Sequence, residues 1–310
     1  MSEQCATNYE SLPDGKWKNG IWWLASYPKS GNTWARMFIN SAVTRFPCDI
    51  NSAYQYACGD MAICDYQAVS CLPVGAMGKR EAVYLRPAVL INMLASRVGR
   101  DVCLKTHSAN LTIDDIPMCP AKLSKGAVYI VRDPRDVAVS FAKHMGVDID
   151  RAIELMCSPT TSIHKEGTVI FHYLSSWSHH VRSWLSKSNP IPTGCVRYED
   201  MIADPRTTFR NMLGALGLSE LVNDKALDFG IEQSEFDKLS SQEGEVGFRE
   251  VGKKQDRFFN SGRVGTWRKR LTSDQVRKIE ESHCEVMREL GYTTEEIDSG
   301  TKYEPCQSCC

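Results

Sequence analysis

A continuous apolar run, Ile21-Trp22-Trp23-Leu24-Ala25, stops at Tyr27-Pro28 and Gly31, and a helical pattern begins directly after it. The run does not alternate. A strand apolar on both faces has to be covered on both faces, as in a parallel sheet layered between helices. Trp34, Met37, Phe38, Val43 and Phe46 give the following helix one apolar face before Pro47. The turn between the two elements is Tyr27-Pro28-Lys29-Ser30-Gly31-Asn32-Thr33-Trp34. The first amides of a helix have no intrahelical partner, and the helix dipole favours negative charge there. Gly31 lets the backbone approach a ligand closely. Lys29 adds a mobile charge, and Ser30 and Thr33 add hydroxyl donors. An ordinary strand–loop–helix connection would account for Lys-Ser-Gly alone. The whole run in this context is read as an anion cradle. It is not a Walker loop, because Lys precedes Gly and the loop is too short, and no Walker-type magnesium ligand is evident.

Further strands end in polar motifs. Asp101 to Lys105 leads into Thr106-His107-Ser108, and Ala127 to Val131 leads into Arg132-Asp133-Pro134-Arg135-Asp136 and a helix from Val137 to His144. Asp133 is a good N-cap and Pro134 a good first helical residue. A long amphipathic helix is expected over 168–187, carrying His172, His179 and His180 as surface or packing residues. Cys195 to Tyr198 reads as a fourth strand and Pro205 to Leu216 as a helix. Strands alternating with helices predict an α/β fold with a central parallel sheet of the P-loop type, whose ligands bind at the carboxyl ends of the strands. No internal repeat or low-complexity linker divides the chain. One domain is expected over residues 1–310, with a core at about 18–292 and loose tails.

The formal net charge is −1, so there is no global pull toward nucleic acid or an anionic membrane, and neither is expected as a partner. No apolar run is long enough to span a bilayer, and residues 1–18 lack the apolar segment of a signal peptide. With 13 cysteines and no export signal, mostly reduced thiols and a cytoplasmic location are expected. Cys306, Cys309 and Cys310 have no second ligand pair nearby, so no metal is expected.

On these residues the chain resembles the cytosolic-type sulfotransferases that use 3′-phosphoadenosine-5′-phosphosulfate (PAPS) and release 3′-phosphoadenosine-5′-phosphate (PAP), in a bacterial-like form. The run from Tyr27 to Trp34 is similar to the family's 5′-phosphosulfate loop, with Asn32 where vertebrate members usually carry Thr. Arg132 to Ser140 is similar to its 3′-phosphate motif, in which Arg132 can fork onto a phosphate and Ser140 can add a hydroxyl. Tyr198, Ser234 and Phe236 match positions that the family places near the adenine, and Trp34 would pack on the base from the other side. Asn260 to Arg268 resembles the family's C-terminal glycine loop. Here Asn260 and Ser261 stand where Arg and Lys are usual, and Gly262 and Arg263 follow.

Lys105-Thr106-His107 resembles the element that carries the family's catalytic histidine. The resemblance implies His107 as general base, Lys105 as a charge on the transferring group and Lys29 as a charge on the leaving nucleotide. The expected reaction is in-line sulfuryl transfer to a hydroxyl or amine of a small-molecule acceptor, without a metal. Its rivals are a P-loop kinase, a repurposed nucleotide-binding member, and dehydration through a sulfate ester. Residues 49–95 and 145–166, with Tyr54, Tyr56, Tyr66 and Tyr84, are expected to line the acceptor pocket. Oligomeric state and acceptor identity are left open by the sequence.

Overall fold

The computed structural model describes residues 19–52, 56–97, 100–165, 169–251, 257–259 and 262–292. In chain order the elements are β1 (Ile21–Ser26), α1 (Asn32–Thr44), β2 (Ala57–Gly59), α2 (Ile63–Val69), α3 (Lys79–Ala95), β3 (Val102–Thr106), β4 (Thr112–Ile113), β5 (Ile116–Pro117) and β6 (Ser124–Val131). There follow α4 (Pro134–Met145), α5 (Ile149–Cys157), β7 (Ser162–Lys165), β8 (Val169–Tyr173), α6 (Trp177–Leu185), β9 (Thr193–Arg197) and α7 (Tyr198–Ala203). The chain continues through α8 (Pro205–Ala215), α9 (Asp224–Gln233), α10 (Phe236–Val246) and α11 (Ser273–Glu289).

Five strands form one parallel sheet in the order β2-β3-β1-β6-β9. The strand read from its unbroken apolar run is the centre of that sheet. Trp23 pairs in register with Leu104 on one side and Ala127 on the other. Its side chains alternate between two cores. Ile21, Trp23 and Ala25 pack with Leu90, Phe141 and Trp184, and Leu24 packs with Phe38, Val128 and Phe209. From β1 the chain runs to the edge strand β2, returns to β3 and then crosses β1 to β6 and β9, so the loop after β1 lies where the strand order changes side, the usual place for a ligand crevice.

The helix expected over 168–187 does not form as one element. Val169–Tyr173 pairs antiparallel with Ser162–Lys165, and the helix starts only at Trp177, where the Ser176 hydroxyl accepts from the His179 amide. The β-branched and aromatic run Val169-Ile170-Phe171 favours extended backbone, and Ser176 supplies the N-cap. His172 therefore sits on a strand. A second element, α3, was not anticipated. It carries Pro87 and buries Arg86, whose Nη2 donates to Asp60 Oδ2 at 2.6 Å with both side chains fully buried. Arg86 also donates to the backbone oxygens of Asp60 and Met118. Among the described residues no helix is long and apolar enough to cross a membrane.

Candidate active site

The cradle is a continuation of β1. Lys29 and Gly31 both take left-handed backbone conformations, with φ of 69° and 102°, and turn the chain into α1. A side chain at Gly31 would be strained at that φ, and its Cβ would lie 2.6 Å from the Tyr198 ring. Asn32 anchors the turn. Its Nδ2 donates to Leu24 O at 3.0 Å and to Ser26 Oγ at 3.2 Å, while its Oδ1 has no hydrogen-bond partner among the described residues. Ser30 Oγ and Trp34 Nε1 are buried without a hydrogen-bond partner. Such groups are costly unless something satisfies them, and a phosphate or sulfate oxygen is a suitable acceptor. Lys29 Nζ stands 3.8 Å from the centre of the Phe258 ring. Thr33 Oγ1 lies 3.5 Å from Glu250 Oε2, and that carboxylate is paired with Arg36 at 2.7 Å.

Arg132 leaves the end of β6 and lies between three pieces of chain. Its Nη1 donates to Lys29 O at 3.3 Å, its Nη2 to Arg263 O at 3.0 Å, and its guanidinium covers the Tyr198 ring at 4.2 Å. Its Nε is buried and unpartnered. Asp133 caps α4 by accepting from the Arg135 amide at 2.9 Å. Asp136 was not singled out from the sequence. It accepts from the Gly265 and Trp267 amides and the Thr266 hydroxyl, at 2.7, 3.0 and 2.7 Å, and so fixes the C-terminal loop against α4. Its position four residues after Arg132 on the same motif was the available signal.

His107 follows β3. Its Nδ1 lies 2.9 Å from Ser26 O and 3.2 Å from Ser26 Oγ. A carbonyl oxygen only accepts, so the proton is on Nδ1 and the Nε2 lone pair is left for the cavity. Burial, Lys105 and His172 hold the His107 pKa well below the ordinary histidine value. The imidazole is neutral, as a base has to be.

These groups converge on one cavity of about 1720 Å³. A single drug-sized ligand usually needs about 300–1,000 Å³, so this space fits two molecules side by side. Lys29, Gly31, Asn32, Thr33, Trp34, Arg132, Ser140, Tyr198, Phe236 and Gly262 line it, and so do Lys105 and His107. Ser30, fully buried, and Ser234 do not; the Ser234 hydroxyl donates to Ile231 O at 3.2 Å. Arg263 meets Arg132 through its backbone oxygen, and its side chain is exposed. Ser261, Asn260 and the C-terminal cysteines lie outside the described residues.

The remaining walls differ from the expected tyrosines. Tyr66 is fully buried, Tyr84 is exposed, and Tyr56 lines a separate depression beside Trp22; Tyr54 lies outside the described residues. Other cavity walls come from Gly59, Ile63, Met145 and Ile163, within the expected segments 49–95 and 145–166, and from His172. No group of three or more potential metal ligands occurs among the described residues.

A sulfotransferase domain model matches residues 21–291, almost the full length of this architecture. The chain belongs to the sulfotransferase domain family. It is 22% identical to sulfotransferase 1B1 of Mus musculus over 315 residues, covering 97% of this chain and 90% of that protein. It is 23% identical to cytosolic sulfotransferase 17 of Arabidopsis thaliana over 280 residues, 83% of this chain and 71% of that protein. The match to amine sulfotransferase of Oryctolagus cuniculus, 22% over 170 residues, covers 53% of this chain and 54% of that protein. In fold it is similar to mouse sulfotransferase SULT7A1 complexed with PAP, at a TM-score of 0.54 and 20% identity over 87% of this chain and 84% of that one. It is also similar to retinol dehydratase in a complex with retinol and PAP, at 0.57 and 16% over 86% and 81%. This sulfotransferase thus shares its parallel-sheet core with proteins crystallised with PAP. None of these relatives is a kinase.

Proposed function

We propose that this sulfotransferase moves the sulfuryl group of PAPS onto a hydroxyl of a small-molecule acceptor. The observation that carries the reading is the meeting, in one cavity sized for two ligands, of an anion cradle and a neutral histidine with its Nε2 free. The helix-start amides at the cradle and the unpartnered Arg132 Nε fit a nucleotide with phosphates at both ends. PAPS, when bound, supplies the sulfuryl group and departs as PAP.

The chain's own residues do the rest. The amides at the start of α1, with Ser30 and Thr33, hold an anion against the helix dipole. Arg132 and Ser140 hold a second anion across the sheet end. Tyr198, Trp34 and Phe236 offer ring surfaces for a flat base. His107 Nε2 takes the proton of the acceptor hydroxyl as its oxygen becomes nucleophilic. Lys105 and Lys29 stabilise the charge spread over the transferring and leaving oxygens, as fixed cations do in related group transfers. The test is transfer of label from sulfur-labelled PAPS to a panel of phenols, alcohols and amines by the full chain. Labelled product with PAP release is expected; no transfer to any acceptor class would sink the proposal.

A further inference from the structure

Three histidines line the cavity, His107, His144 and His172, and the reaction above uses one. His172 on β8 is buried, with its ring centre 5.6 Å from that of His107 at an interplanar angle of 73°. Its Nδ1 lies 3.5 Å from Ser108 Oγ. Each ring therefore meets protein through Nδ1, and each leaves Nε2 without a protein hydrogen bond among the described residues. Both rings line the same cavity. A histidine kept for packing looks different. His180 is satisfied at both nitrogens, by the Tyr129 hydroxyl at 2.9 Å and His107 O at 3.0 Å, and it does not line the cavity. Burial and the nearby Lys105 push His172 down to about 3, so it is a neutral hydrogen-bonding group and would not select an anion.

We propose that His172 is a specificity-determining residue that hydrogen-bonds a second hydroxyl on the carbon next to the reacting one, so that the preferred acceptors are catechols or 1,2-diols. The inference rests on His107 acting as the base of the proposed transfer. Rings this close address neighbouring oxygens of one molecule, not remote ones. A hydroxyl both donates and accepts, so it pairs with either tautomer of His172. An acceptor lacking that hydroxyl leaves a buried ring nitrogen unpaired, which a site built around it discriminates against.

The test compares catechol with phenol on the full chain with PAPS. The KM for catechol is expected at least about tenfold below that for phenol, equivalent to roughly 1.4 kcal/mol. His172→Phe keeps a ring but removes both nitrogens, and is expected to collapse that ratio toward one. His172→Gln restores a polar group and is expected to recover part of it. Equal KM values in the wild type overturn the inference, whether or not the variants fold. If no acceptor is sulfated at all, the proposed reaction fails first. Calorimetry of catechol and phenol on the PAP-loaded protein then still reads the His172 contact, and equal affinities overturn it.

Discussion

The Nδ1–H of His107 donates to the carbonyl oxygen of Ser26 at 2.9 Å, a bond that ties the end of β3 to the end of β1. The same bond fixes the tautomer and leaves the Nε2 lone pair for the proposed role of base. His107→Ala is expected to lower turnover by about 10²–10⁴-fold, the usual contribution of a general base, with PAP affinity by calorimetry largely retained. Turnover near the wild-type value would remove His107 from the reaction.

The pH profile carries the sign of the same environment. In the proposed reaction the neutral imidazole is the active form, and burial with Lys105 depresses its pKa below 6.5. Lowering the pH through 6.5 should leave kcat/KM little changed, with the acid limb appearing only further down. A limb centred at 6.5 or above, measured with an acceptor that does not titrate there, would contradict the neutral, buried base.

Arg132 joins the cradle, the Tyr198 ring and the C-terminal loop. Arg132→Ala is expected to weaken PAP binding by roughly 10–100-fold, since hydrogen bonds to charged groups contribute about 1.5–3 kcal/mol. Isothermal titration calorimetry with PAP reads this directly. An unchanged affinity would deny Arg132 a phosphate contact.

Gly31 offers a test that touches no charge. Its φ of 102° and the Tyr198 ring 2.6 Å from a built Cβ leave no room for a methyl group. Gly31→Ala should reshape the cradle and reduce PAP affinity by roughly 5–150-fold, from a strain of order 1–3 kcal/mol. A wild-type affinity with a wild-type melting temperature would show that the turn tolerates the methyl and that its shape is not what binds.

The central strand, the cradle, the helix cap at Asp133 and the position of His107 were all legible in sequence because each is a local signal. Apolar continuity, a turn glycine and a capping aspartate act within a few residues of where they are read. The parts missed depend on long-range pairing. Helical periodicity over 168–187 competed with strand propensity, and only the partner strand at Ser162–Lys165 decides between them. His172 reached the cavity by that route. The Arg36–Glu250 pair joins residues 214 apart in the chain, and no local pattern announces it. The tyrosines expected around the acceptor failed for a simpler reason: an aromatic in an irregular stretch can pack inward, as Tyr66 does, or face solvent, as Tyr84 does.

Buried histidines also set the acid stability of the protein. Burial lowers His172 to about 3, and His180 and His283 to about 4, from an unfolded value near 6.5. Each is neutral when folded and binds a proton on unfolding below that value. The unfolded state therefore holds more protons between about pH 6.5 and 4, and stability falls as the pH drops through that window. These three groups alone give a limiting slope of about 4 kcal/mol per pH unit, at roughly 1.36 kcal/mol each, and buried His107 steepens it. Against a total stability of about 5–15 kcal/mol, that is a large loss by pH 4. Urea titrations at pH 7, 6 and 5 should show a falling midpoint, and His180→Phe or His283→Phe should flatten the slope by about one proton each. A midpoint that stays constant from pH 7 to 5 would mean these rings titrate normally in the folded protein.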